Sequence, residues 1–156
     1  MKKSRLSSAG LTVALLTLAA ALSARAATGP TASAARSLSV KDEGYLRLVR
    51  SSGSLLIDEG PVHGTIPGKA KVRFVYDGDP IVSAQITISG RAGSILAHAR
   101  GRLSSPTSPR PSFNGTLTVT GGSGRYRHAH GSGRLYGVFY RRTYAITVQT
   151  VGTIRY

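Results

Sequence analysis

Arginine dominates the charge of this chain, and no acidic residue follows Asp79. The 156 residues include 21 Lys and Arg against 6 Asp and Glu, and ten arginines follow Asp79 without a single carboxylate. Tyrosines are interleaved with these arginines, and arginine beside exposed aromatic rings can bind nucleic acid or acidic glycans. The simpler explanation, that the charge only keeps the protein soluble, stays open. The candidate contacts with an anionic polymer are Arg125, Arg127, Arg141 and Arg142.

Most of the acidic residues occur as adjacent pairs, Asp42-Glu43 and Asp58-Glu59. Neighbouring side chains on a strand point to opposite faces, so the two members of such a pair cannot act together. We therefore expect both pairs in solvated turns or at strand ends. A glycosidase pair of carboxyl groups would have to form across the interior of the fold.

The spacing of the four histidines does not predict a metal site. His128 and His130 are two residues apart and would share a face on a strand, but zinc needs three or four ligands. The chain has no cysteine, and His63 and His98 are distant in sequence. The Gly-Ser-Gly segment at 122–124 lacks the Lys-Ser or Lys-Thr of a phosphate-binding loop and is typical of a hairpin turn. No metal and no cofactor is therefore predicted.

The N-terminus has the three parts of a secretory signal peptide. Basic residues at 2–5 precede the apolar run Leu11–Leu22, and the small-residue signal Ala24-Arg25-Ala26 follows. The apolar run is shorter than the roughly 20 residues of a membrane span. We expect a signal peptide at 1–26, a flexible leader at 27–37 and a folded domain at 38–156. The protein is thus predicted to be secreted without a transmembrane anchor, with association to the cell envelope left open.

Apolar and polar residues alternate with a period of two along the mature chain, which indicates half-buried strands. Turn signals such as Pro67-Gly68, the segments 77–80 and 90–93, and the proline-rich loop 104–112 separate these runs, with further strands near 54–58 and 62–66. About eight short, regularly spaced strands favour an all-β fold, an eight-stranded antiparallel up-and-down barrel. The predicted inward-facing set is Val72, Phe74, Ile86, Ile88, Leu117, Val119, Ile146, Val148 and Ile154.

The most specific pattern lies at 113–131. A strand ending in Gly121-Gly122-Ser123-Gly124 is followed by a basic residue, Tyr126, two more residues, Ala129, any residue and Gly131. This segment resembles the strand–turn segment of the allene oxide cyclase and dirigent barrel superfamily. The glycines permit a sharp turn, Tyr126 is expected to anchor that turn to the core, and Ala129 and Gly131 are small where another strand must pass closely.

The resemblance implies an eight-stranded antiparallel barrel with a central cavity. Some members of the superfamily close rings in fatty-acid epoxides, and others steer the coupling of phenolic radicals, using acidic and polar residues inside the cavity. No residue of this chain matches those residues one by one, and the absence of acids after Asp79 argues against such catalysis.

Three functions remain from the sequence. The first is a secreted, non-enzymatic barrel that binds a small apolar ligand in its cavity or acts at a surface. The second is a barrel isomerase or cyclase that confines an apolar substrate, and the third is a module that binds an anionic polymer. A roomy interior with convergent polar groups would favour the enzyme, whereas a filled interior would exclude both cavity functions.

Overall fold

Residues 36–156, which the computed structural model describes, form eight antiparallel strands closed into a barrel. Each strand pairs with the next along the chain, and the last pairs with the first, which confirms the predicted fold class. The strands are β1 Ser37–Ser52, β2 Leu55–Gly64, β3 Gly68–Val75, β4 Ile81–Gly90, β5 Gly93–Ser104, β6 Ser112–Gly122, β7 His130–Tyr140 and β8 Ala145–Arg155. No helix among these residues is long and apolar enough to cross a lipid bilayer.

The predicted signal peptide at 1–26 lies outside the described residues, as does the predicted leader except for its last two residues. Those two residues already belong to the barrel. Ser37 is the first residue of β1, and Arg36 exchanges two backbone hydrogen bonds with Tyr156, of 2.9 and 3.0 Å. The barrel therefore begins slightly before the predicted boundary at 38.

The interior is built from alternate residues of each strand, as the period of two predicts. On β8, Ile154 is buried among residues of other strands, while its neighbour Thr153 is exposed. The predicted inward-facing residues are all buried or packed against the two buried clusters of the core, and Ile86 and Ile88 contact both clusters. The core is thus continuous through the barrel.

The second strand of the barrel, β2, differs from the prediction. The separate strands expected near 54–58 and 62–66 are one strand, β2, which continues through Gly60 and Pro61. Gly60 fits because β1 passes so closely that a Cβ there would collide with the carbonyl of Tyr45. A proline ring lacks the N–H of an ordinary residue, yet Pro61 keeps its place in the register opposite Lys69.

One end of the barrel is plugged by aromatic and aliphatic side chains, and we call it the closed end. Ile66, from the turn between β2 and β3, and Tyr126, from the 3₁₀ turn Gly124–Tyr126, are both buried in the core cluster there. The Tyr126 and Tyr156 rings meet edge to face, 5.2 Å between centroids. The prediction that Tyr126 anchors the turn to the core is confirmed. At Gly131, a Cβ would collide with the carbonyl of Thr153 on β8, so only glycine fits there.

The opposite end, which we call the mouth, carries the other four connections. These are the turn between β1 and β2, the loop 76–80, the loop 105–111 and the turn 141–144. The mouth therefore combines the proline-rich loop with the last turn of the chain.

Candidate binding site inside the barrel

A cavity of about 220 Å³ occupies the mouth half of the barrel, and we call it the mouth cavity. Small residues create this space, because Ala84 and Ala99 face each other on β4 and β5 and Gly101 lies two residues further along β5. A Cβ on Gly101 would meet no atom closer than 3.4 Å, so the site has room for a methyl group that glycine does not supply. The wall is mainly aliphatic and aromatic, including Leu56, Phe74, Val82, Leu103, Phe113 and Phe139.

Three side chains of the last hairpin line the cavity at the mouth: Phe139, Arg141 and Tyr144. Tyr144 has a left-handed backbone conformation, with φ of 50°, which costs free energy for a residue other than glycine. Its carbonyl accepts a hydrogen bond of 3.2 Å from the N–H of Leu48, and its ring lies 6.2 Å from that of Phe139. Because Tyr144 is 53% exposed and also lines the cavity, the cavity reaches the surface at this turn.

Arg141 fastens the proline-rich loop beside the mouth. Its Nε donates a hydrogen bond of 3.0 Å to the carbonyl of Ser108, and a terminal nitrogen donates to the carbonyl of Pro106. Its backbone N–H donates to Pro109, at 3.2 Å. Arg141 is one of the four predicted contacts with an anionic polymer, but its guanidinium is partly buried and donates to carbonyl oxygens.

A second, smaller cavity of about 80 Å³ lies towards the closed end and is lined by Asp42 among apolar residues. Asp42 is buried, and its Oδ1 accepts a hydrogen bond of 2.9 Å from the N–H of Ile66. Burial raises the pKa of this carboxyl, and the hydrogen bonds from the backbone at Ile66 and Thr65 act in the opposite direction. The carboxylate of Asp42 is therefore held by the backbone of Ile66 inside this cavity.

Asp58 is the most unusual polar group of the interior. It is 2% exposed, and its Oδ1 has no hydrogen-bond partner among the described residues. Burial without a partner raises the pKa of Asp58 to about 6. The expectation that both acidic pairs lie in solvated turns or at strand ends is therefore wrong for Asp42 and Asp58, which are buried within β1 and β2. Joining the two predicted strands into β2 would have placed Asp58 on the inward face with Leu56 and Val62.

The two interior carboxylates do not form a catalytic pair. Asp58 lies opposite Leu48 on β1, and Leu48 is six residues from Asp42 along that strand. At about 3.3 Å per residue the two aspartates are about 20 Å apart. Glycosidases hold their carboxyl groups about 5–9.5 Å apart, so this arrangement cannot act as one. Neither aspartate is among the residues that line the mouth cavity.

The histidines are exposed and apart from the interior. His128 lies in the turn before β7 rather than on a strand. The Nδ1 atom of His130 lies 3.1 Å from the carbonyl oxygen of His128. Among residues 36–156, no group of three or more histidines and carboxylates is placed to hold a metal ion.

The structure does not bring the four candidate arginines together. Arg125 and Arg127 lie at the closed end, before β7, whereas Arg141 and Arg142 follow β7 at the mouth. The eleven residues of β7 separate the two pairs by about 35 Å. Arg125 is also engaged, since it donates a hydrogen bond of 2.6 Å to the Tyr156 hydroxyl and stacks over that ring.

Comparisons with protein-family models, curated proteins and solved structures return no match for this chain. The similarity of residues 113–131 to the allene oxide cyclase and dirigent barrels therefore stays a prediction. The case for a function rests on the cavity and on the outer surface of the barrel.

Proposed function

We propose that this barrel is a secreted, non-enzymatic protein that binds a small apolar ligand in the mouth cavity. The observation that carries the proposal is an apolar space of about 220 Å³ that reaches the surface beside Tyr144. Protein interiors normally leave few voids larger than a water molecule. A space of this size, kept open by Ala84, Ala99 and Gly101, is therefore suited to a guest molecule.

The dimensions and chemistry of the wall define the ligand class. An engineered apolar cavity of about 150 Å³ stays dry and takes up benzene, so a space of about 220 Å³ suits a body of one or two rings, or a short branched chain. The polar groups lie at the mouth, where Arg141 has N–H donors left after its two carbonyl contacts. The ligand we propose has an apolar body and one polar or anionic group at its outer end.

Binding is favoured over catalysis because of what the cavity wall lacks. An isomerase or cyclase moves protons with positioned acids and bases, which must reach the reacting atoms. The interior carboxylates Asp42 and Asp58 do not line the mouth cavity, and its wall is apolar apart from residues such as Tyr76, Arg141 and Tyr144 at the mouth. This favours confinement of a ligand without a chemical step.

The test is binding of 1-naphthol, which has two fused rings and one hydroxyl group, measured by calorimetry. Ala84→Leu and Ala99→Leu each add a side chain to the cavity, and we expect about tenfold weaker binding or more with the fold retained. Ser83→Leu is the matched control, because it adds the same side chain to the exposed face of β4. Wild-type affinity in both filled variants, with unchanged melting temperatures, would overturn the proposal.

A further inference from the structure

A groove of about 500 Å³ runs along the outside of the barrel over β3, β4, β5 and β6, and we call it the outer groove. The strand register places its polar side chains in two rows across the sheet. Arg73, Gln85, His98 and Thr118 form one row, and Ser83, Arg100 and Thr116 form the other. Neighbouring strands lie about 4.8 Å apart, so these side chains form one continuous surface.

The positively charged surface extends beyond the outer groove. Arg134 follows Thr116 in the second row, which puts Arg100 and Arg134 about 10 Å apart on either side of one threonine. Arg102 lies next to Arg100 on the same face of β5. All of these arginines are exposed. The ion pairs of residues 36–156 join only Lys69 and Lys71 to Glu59, so none of these arginines is neutralised within the described part of the chain.

No residue of β4, β5, β6 or β7 carries a carboxylate. Asp42 and Asp58 point into the interior. Glu43 belongs to β1, between His63 of β2 and Gln149 of β8, and Glu59 belongs to β2, where Lys69 and Lys71 pair with it. Asp77 and Asp79 lie in the loop 76–80, and their Oδ1 atoms accept hydrogen bonds from backbone N–H groups of that loop and the start of β4. The surface of β4–β7 therefore has an uncompensated positive field, which attracts anions.

We propose that the outer groove binds an anionic polysaccharide. The guanidinium groups of Arg73 and Arg100 would pair with its acid groups, because the planar arginine fork matches such anions. The amide of Gln85 and the hydroxyls of Thr116 and Thr118 supply hydrogen bonds for sugar hydroxyls. This site is on the opposite side of the barrel wall from the mouth cavity and does not depend on the proposed ligand.

The composition of the groove favours a glycan over a nucleic acid. Single-stranded nucleic acids are bound on aromatic side chains on which the bases stack. Among the residues that line the outer groove, Phe74 is the one phenylalanine, tyrosine or tryptophan, and its side chain packs into the barrel core, so the imidazole of His98 is the one exposed ring. A surface of arginine, amide and hydroxyl groups with a single small ring, the imidazole of His98, suits a polymer that carries hydroxyl and acid groups better than a row of bases that need successive stacking rings.

The experiment measures binding of a heparin oligosaccharide over a series of salt concentrations. The groove variant is Arg73→Gln/Arg100→Gln. The control is Arg127→Gln/Arg142→Gln, which removes the same charge from exposed arginines at the two ends of the barrel. We expect about tenfold weaker binding and a salt slope lower by about one to two in the groove variant, with less than about a twofold loss in the control.

Three outcomes would overturn the proposal: no binding by the wild-type protein at physiological salt, equal losses in the two variants, or tighter binding of an oligothymidylate than of heparin. Equal losses would mean that only net charge matters, and the last outcome would point to nucleic acid. If a variant fails to fold, the amide chemical shifts of the wild-type protein decide. Heparin should then shift His98, Thr116 and Thr118, and shifts confined to the barrel ends would contradict the assignment.

Discussion

The Oδ1 of Asp42 accepts a hydrogen bond of 2.9 Å from the backbone N–H of Ile66, and both residues are buried. This contact holds the turn between β2 and β3 over the closed end, where Ile66 joins the core cluster. A buried N–H without a partner is costly, so the carboxylate performs a structural task inside an apolar interior.

Replacing Asp42 with alanine should therefore destabilise the barrel. The Ile66 N–H would lose its acceptor, and we expect a loss of about 1–3 kcal/mol in the free energy of unfolding, measured by urea denaturation. Asp42→Asn keeps an oxygen acceptor in the same place and should cost less. Equal stability of the wild-type and alanine proteins would show that the contact contributes nothing.

Asp58 should make the stability of the protein depend on pH in the opposite direction from an ordinary paired carboxylate. Folding raises its pKa from 3.8 to about 6, so between these values the folded protein binds more protons than the unfolded chain. The free energy of unfolding should then fall as pH rises from about 4 to 6, by up to about 3 kcal/mol from this group. The loss is complete above the folded pKa.

The check is a comparison of Asp58→Asn with the wild-type protein across this range of pH. The amide cannot ionise, so the difference in stability between the two should grow in favour of the variant as pH rises from about 4 to 6 and then level off. Asp42 titrates in both proteins and cancels in the difference. A difference that does not change with pH would show that Asp58 is stable as an ion in the fold.

The period of two was sufficient to predict the fold class, because β4, β5 and β6 carry small or apolar residues at their inward positions. It failed where a buried carboxylate or a close approach of two strands places other residues inside. Asp42 and Gly44 interrupt the apolar pattern of β1, and Gly60-Pro61 reads as a turn although β2 continues through it.

The mouth cavity could not be predicted from the sequence, because its shape depends on which residues of neighbouring strands lie opposite each other. The mouth cavity exists because Ala84 and Ala99 are opposite each other, and this depends on the register of β4 against β5. The contact between Arg141 and Pro106 joins residues 35 positions apart. Sequence spacing instead placed the four candidate arginines in one cationic half, whereas the barrel separates them between its ends.

The inward register of β8 can be tested on two adjacent residues. Ile154 is 4% exposed within the core cluster of the closed end, and Ile154→Ala should cost about 2–5 kcal/mol of unfolding free energy. Thr153 points outward and is exposed, so Thr153→Ala should cost less than about 1 kcal/mol. Similar losses at the two positions, measured by denaturant titration, would contradict the alternation on this strand.

The predicted processing site can be tested by intact-mass measurement of the exported protein. The small residues Ala24 and Ala26 predict cleavage before Ala27. The mature chain should begin there, or a few residues later if the leader is trimmed. Changing both alanines to leucine should block cleavage, and export of a chain that still contains Leu11–Leu22 in the wild type would contradict the prediction.

The contact of Arg141 with the proline-rich loop should control the mobility of the mouth. Arg141→Ala removes both side-chain hydrogen bonds to the carbonyls of Pro106 and Ser108. A hydrogen bond from a charged donor contributes about 1.5–3 kcal/mol, so the amides of 105–110 should exchange with solvent at least about tenfold faster. Exchange in β4 and β5 should change little, because the core is untouched.

Two matched variants separate the contact from the charge. Arg142→Ala removes the same charge from the exposed neighbouring residue, and the loop should keep its wild-type exchange rates. Arg141→Lys keeps the charge but not the planar fork that reaches two carbonyls, so its exchange rates should lie closer to those of Arg141→Ala. If Arg141→Lys behaved like the wild-type protein, charge alone would hold the loop, and the two-carbonyl contact would not be the cause of its order.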